Sequence, residues 1–244
     1  MASLEQVHGF VAEVWVQTRS SSKEFPELFR NGEPKYPIPF FGNLLTAELL
    51  TVGLNPSADE FKAQGWQDGL FTESLTERLL SYFLASPHGW FEKWVEALNI
   101  LNEAPSYRDG RVAHLDISPR ATQSFGSFSA AQAKDFDVML RRDISWLFRL
   151  ISQFTNPKLV LMAGTASKTH YLDRLANECA KQHSYKLIGR RSAKGIQCRF
   201  WRLEGHGKSI PLFFSGSGPS DRRNPGRLVE NLRVNAEALN ACLK

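Results

Sequence analysis

Three short segments, widely spaced along the chain, carry the side chains best suited to chemistry. They are Gly53-Leu54-Asn55-Pro56-Ser57, Leu115-Asp116-Ile117-Ser118-Pro119 and the run from Ser215 through Gly218-Pro219-Ser220 to Arg222-Arg223-Asn224. Each follows an apolar run, so each reads as the exit of a buried strand. In an open α/β sheet, ligands bind at the edge outside the carboxyl ends of the strands. Asn55 offers an amide that can orient a water, Gly53 lets the backbone approach a ligand, and Pro56 sets the turn. A carboxylate at the end of an internal strand, as at Asp116, is costly unless paired or used. The last segment combines backbone donors, hydroxyls and two arginines, the means by which a protein grips a phosphodiester. Each segment has a plainer reading as well: a strand-to-turn junction at Gly53–Ser57, a satisfied core histidine at His114, a solvated linker at 215–224.

The elements that must position these residues follow from periodicity. Val7, Phe10, Val11 and Val14 predict an N-terminal helix over Leu4–Val16, and the prolines between Ser20 and Phe41 predict a long loop. Helices are predicted at about Glu73–Ala85 and Trp90–Asn102, then a long one over Ala130–Phe154. Strands are predicted at Glu48–Gly53, Val112–Pro119, Pro157–Gly164 and Ile210–Phe214, with one or two basic surface strands within Ser184–Glu204. A helix over Thr165–Lys181 and a closing helix over Arg227–Leu243 complete the chain. Phe71, just beyond the Asn55 loop, could stack on a planar base or simply fill the core.

The chain has 244 residues, 42% hydrophobic and 23% charged, which predicts one large α/β domain over residues 1–244. The net charge of +5 and a pI near 9.2 suit a polyanionic partner. Three separated cysteines, Cys179, Cys198 and Cys242, predict a reducing compartment and argue against a four-cysteine metal centre. No run is apolar enough to span a bilayer, and the N-terminus lacks a secretion pattern, so a cytoplasmic protein is expected. The chain lacks a Gly-x-Gly-x-x-Gly loop, and its Gly207-Lys208-Ser209 has Arg202 where a Gly-x-x-x-x-Gly-Lys-Ser/Thr phosphate loop needs its first glycine.

In their order and spacing the three exits resemble the motifs of the uracil-DNA glycosylase superfamily, over roughly Phe40 to Asn231. Gly53-Leu54-Asn55-Pro56 looks like the water-activating motif of its mismatch-specific and single-strand-selective branches, and the last loop is similar to its DNA-contacting Pro-Ser motif. The resemblance implies a three-layer α/β/α sandwich around a short, mainly parallel sheet. It implies a monofunctional DNA glycosylase needing no cofactor or metal, acting on DNA as a monomer and leaving an abasic site. Asn55 would orient the attacking water. Leu54, Ser57, Phe71 and Asp116 would surround the extruded base, and Gly218, Pro219, Ser220, Arg222, Arg223 and Arg120 would hold the DNA. Gly218 stands where the uracil-specific enzymes carry histidine, and Asp116 where the superfamily reads the base with an amide. An ionised carboxylate repels the O4 of uracil and accepts from the N4 amine of cytosine. A cytosine-type base is therefore expected, and a small Ser57 leaves room for a C5 substituent, as in the hydroxymethylated or glucosylated cytosine of some phage DNA. The alternatives are repair of uracil or mismatched thymine, and a catalytically inactive DNA-binding homologue.

Overall fold

The computed structural model describes residues 2–29, 36–58, 72–85, 87, 89–122, 128–164, 186–192, 198–205, 207–219 and 226–244. Among the described residues seven strands are formed: β1 (Phe40–Phe41), β2 (Leu49–Gly53), β3 (Val112–Asp116), β4 (Leu159–Ala163), β5 (Lys186–Ser192), β6 (Arg199–Gly205) and β7 (Lys208–Ser215). They build one sheet in the order β1-β3-β2-β4-β7-β6-β5. Every residue of β2, β3 and β4 is buried, as strands covered on both faces must be. The four central strands run parallel, whereas β1 pairs antiparallel with β3, and β6 with both β7 and β5. The fold is therefore mixed α/β around a mostly parallel sheet.

Register places the functional exits together. Gly53 is the partner of Asp116, Val52 of both Leu115 and Met162, and Ala163 of Ser215. All four parallel strands thus end at one edge. The chain leaves β2 for β3 on one side, and leaves β4 for strands on the other. The crevice between the ends of β2 and β4 is therefore the topological switch point, where open α/β sheets bind ligands.

Helix α1 (Leu4–Thr18) starts on a capping box in which Ser3 and Gln6 each accept from the other's backbone N–H, and it buries Val7, Phe10, Val11 and Val14. The expected loop after it contains a single turn, α2 (Ser21–Glu24), and β1, both too short to leave a periodic signature. Helix α3 (Thr72–Leu80) gives way to a 3₁₀ turn at Tyr82–Leu84. Helix α4 (Trp90–Leu98) lays Phe91 and Trp94 against the β2–β3 face carrying Thr51 and His114. Helix α5 (Ala130–Arg149) ends in a π turn at Leu150–Phe154. There the Lys208 ammonium donates to the carbonyls of Ser152 and Thr155, orphan acceptors of the kind a helix end leaves. The single closing helix expected over Arg227–Leu243 is two, α6 (Arg227–Arg233) and α7 (Ala236–Leu243). Buried Asn235 separates them, its side-chain amide donating to the Asn231 carbonyl. The stretch Ile38-Pro39-Phe40-Phe41 is core rather than pocket lining.

Two buried acids make the fold sensitive to alkali. Burial pushes the Cys198 thiol up to about 11, and burial together with the nearby Asp116 charge pushes the Tyr107 phenol well above its usual value. An acid whose folded pKa is raised stabilises fully below its unfolded pKa and loses that contribution as pH climbs through the folded value. Urea melts should show stability falling from about pH 9 upward, with Cys198 contributing roughly 2 kcal/mol by pH 11. Cys198→Ala should flatten that slope, and an equally steep loss in the variant would remove Cys198 as a cause.

Candidate functional site

Asn55 lies two residues past the end of β2, against the loop that follows β3. Its Nδ2 donates to the Arg120 carbonyl at 3.0 Å, to Thr122 Oγ1 at 2.9 Å and, at 3.2 Å, to the Pro56 carbonyl. Two of these partners are carbonyls, which only accept, so they settle which end of the amide is nitrogen. The opposite end, Oδ1, is buried, and no group among the described residues donates to it. A buried carbonyl oxygen left in this state costs about 1–3 kcal/mol. The amide is consequently locked in orientation with one acceptor held ready, an arrangement suited to orienting a water or a ligand N–H.

The loop that clasps Asn55 follows β3, and the two exits stay paired after the sheet ends. Ile117 N–H donates to the Gly53 carbonyl, Ser118 N–H to Leu54, and Thr122 N–H to Pro56, while Ala58 N–H returns a bond to Thr122. Ser57 forms a parallel bridge with Thr122. Leu54 is partly buried and packs against the core. The Asp116 carboxylate, 5% exposed, leans across β2 so closely that a Cβ on Gly53 would lie 2.5 Å from its Oδ1. Glycine is required there by proximity, since a methyl would drive the carboxylate off the strand end.

Behind Asp116 runs a polar chain inside an aromatic shell. Thr51 Oγ1 lies 2.7 Å from both the Tyr107 hydroxyl and His114 Nδ1, and His114 Nε2 lies 3.5 Å from Asp116 Oδ1. Phe41, Trp90, Phe91 and Trp94 surround the imidazole with ring centroids 5.2–6.2 Å away. His114 is thus an interior histidine, hydrogen-bonded to Thr51 and facing Asp116.

The third exit reaches the same edge. Gly164 N–H donates to the Ser215 carbonyl, and a Cβ on Gly218 would sit 3.4 Å from the Gly164 carbonyl oxygen. Ser215 Oγ donates to the Ser217 carbonyl and accepts from Ser217 N–H and Asn231 Nδ2, folding the turn back against α6. Gly218 and Pro219 therefore stand beside the β4 exit. Phe71, Ser220, Arg222 and Arg223 lie outside the described residues, as does the helix expected over Thr165–Lys181.

Arg120 is a correction. It was expected on the DNA, yet it is 1% exposed and its guanidinium is consumed inside the protein. Nε donates to Asp143 at 2.9 Å and one Nη to Ser21 Oγ at 2.6 Å, while the other Nη forms an ion pair with Glu24 Oε2 at 2.9 Å, and the Phe25 ring lies 5.1 Å away. Two carboxylates neutralise it, so it has no charge to offer a phosphate. Its contribution to the site is its main-chain carbonyl, which holds Asn55. No sequence signal marks a carbonyl for such a role, and none marked Tyr107, Thr51 or Asn231 either.

Among the described residues no cluster of three His, Cys, Asp or Glu side chains could hold a metal ion, and no helix is long and apolar enough to cross a membrane. A scan against protein-family models found no match, and a search of curated proteins found none.

Proposed function

We propose that this chain is a monofunctional DNA glycosylase that hydrolyses the N-glycosidic bond of a flipped-out pyrimidine, a modified cytosine by preference. The observation that carries the reading is the Asn55 amide at the β2 exit, its nitrogen clasped by three acceptors and its buried oxygen without a donor among the described residues. The resemblance of the three strand exits to uracil-DNA glycosylase motifs agrees with it, and a parallel core buried on both faces fits the layered fold that resemblance implies.

In this mechanism the target nucleotide leaves the stack at a cost of a few kcal/mol, offset by contacts in the pocket and on the flanking phosphates. The glycosidic bond breaks toward an oxocarbenium-like sugar while negative charge grows on the departing base. Asn55 Oδ1 accepts a hydrogen bond from the water that attacks C1′. An amide is too weak a base to take the proton early, so bond breaking runs ahead of water attack. Backbone N–H groups of the Leu54–Ser57 loop face the leaving base and stabilise its charge. Gly218 lacks a side chain that could donate to the base, so the reaction depends the more on this loop. Pro219 and Ser220 pinch the backbone, with Arg222 and Arg223 adding charge. No cofactor or metal takes part.

Asp116 accepts from the exocyclic amine of a cytosine-type base and repels O4 of uracil. Ser57 leaves space at C5. A glycosylase of this preference would strip phage genomes that carry hydroxymethylated or glucosylated cytosine, and defence against such phage is the setting proposed.

The test is mass spectrometry of bases released from a panel of natural and phage DNAs. Free modified cytosine is the expected product, and a panel yielding no free base rejects the reading. In the same assay Asp116→Asn should shift the ratio of modified-cytosine to uracil release toward uracil by at least about tenfold. An unchanged ratio removes Asp116 from base recognition.

A further inference from the structure

The hydroxyls and imidazole behind Asp116 have a defined direction. Thr51 Oγ1 meets Tyr107 and His114 Nδ1 at 2.7 Å each and the Ala113 carbonyl at a long 3.5 Å, yet it owns a single proton. Suppose His114 carried its proton on Nδ1 and gave it to Thr51. The bare Nε2 would then face the Asp116 carboxylate, two acceptors 3.5 Å apart, in surroundings where Asp116 is 5% and His114 1% exposed. If Thr51 donated to Tyr107 instead, the buried phenol's own proton would be left without an acceptor among the described residues. One arrangement leaves no two acceptors facing each other: Tyr107 O–H donates to Thr51, Thr51 O–H to His114 Nδ1, and the His114 Nε2–H faces Asp116 Oδ1 across a 3.5 Å electrostatic contact. Burial and the Asp116 charge both keep the Tyr107 proton in place, as a chain that begins there requires.

We propose that Tyr107, Thr51 and His114 are positioning residues, a one-way hydrogen-bond relay that holds the Asp116 carboxylate over Gly53 as an acceptor and so sets the preference for a base edge bearing an amine. The specificity half rests on the reading that Asp116 faces the target base. Because every donor points toward the carboxylate, each bond polarises the next. The aromatic shell of Phe41, Trp90, Phe91 and Trp94 surrounds the imidazole, so the relay runs through a low-dielectric interior.

Two measurements on the full chain separate the relay from the function it serves. Long-range proton–nitrogen NMR, with His114 assigned by difference against His114→Gln, should show Nε2 protonated and Nδ1 as acceptor. Thr51→Val, which keeps the shape and removes the hydroxyl, should mix the two tautomers, and Thr51→Ser should restore one. A parent with Nδ1 protonated, or a Thr51→Val tautomer identical to the parent's, overturns the relay. The second measurement is the ratio of kcat/KM on modified-cytosine and uracil duplexes. Thr51→Val and Tyr107→Phe should each reduce it about tenfold, the worth of one hydrogen bond, and Thr51→Ser should recover it. Equal loss on both bases would mean ordinary structural damage and overturns the specificity role. If the parent releases no base from any DNA, the glycosylase reading falls with that role, while the tautomer still decides the relay.

Discussion

Asn55→Ala is expected to bind DNA as the parent does and to release base at least about a hundredfold more slowly, the scale on which a positioned acceptor contributes to a transition state. On the proposed reading, binding survives because the phosphate contacts come from other segments, and hydrolysis fails because the variant loses the acceptor that three partners hold in a fixed direction. The side chain also has a structural share. Its removal strips a donor from the Arg120 and Pro56 carbonyls and from Thr122, so a loss of about 1–3 kcal/mol in stability should accompany it. Excision is therefore best measured well below the variant's melting temperature, beside a DNA-binding titration. Parental excision rates in a folded Asn55→Ala protein would remove Asn55 from the chemistry. Asn55→Asp should be no substitute: a carboxylate oxygen would replace Nδ2 against two carbonyls, turning attraction into repulsion.

Arg120→Met should produce the largest loss of stability, about 3–5 kcal/mol, as expected when one partner of a buried ion pair is removed. Among the described residues Asp143, 1% exposed, would keep the Ser118 hydroxyl and the weaker field of Arg142, and Glu24 would keep Arg142. Burial already holds the Asp143 carboxyl above its ordinary range, and the Arg120 cation works against that rise. Without the cation the folded pKa climbs further, so the carboxyl destabilises the fold most at pH values above it and least when protonated. The variant's deficit should accordingly shrink from pH 8 to pH 5. Chemical denaturation at the two values reads this directly, and a pH-independent cost below about 1 kcal/mol would contradict the buried pair. Excision should fall as well, since the Arg120 carbonyl that clasps Asn55 depends on where the guanidinium is anchored.

Arg120 also shows where reading residue by residue stops. A lone arginine one residue past Ser118-Pro119 looks the same in sequence whether it reaches outward to a phosphate or inward to a carboxylate. Its partners, Glu24 and Asp143, are 96 and 23 residues away, and only folding brings them to it. The break at Asn235 and the short α2 escaped for a related reason: a side chain competing for one backbone carbonyl, or a single helical turn held by distant groups, leaves no periodic trace.

Other features were written locally. Apolar runs ended by Gly-x-Asn-Pro or by a carboxylate are buried strands and their exits because a five-residue strand covered on both faces needs apolar residues throughout and can release a polar one only at its end. The central strands, the α1 and α5 faces and the placement of Asn55 and Asp116 at strand ends followed from that alone. Tertiary structure decided what each polar group faces: which carbonyls grip Asn55, why position 53 must be glycine, and how Tyr107, Thr51 and His114 line up behind Asp116. Hydrogen bonds reach about 3 Å and act between groups scores of residues apart, so their partners are a property of register and packing, which a linear pattern does not contain.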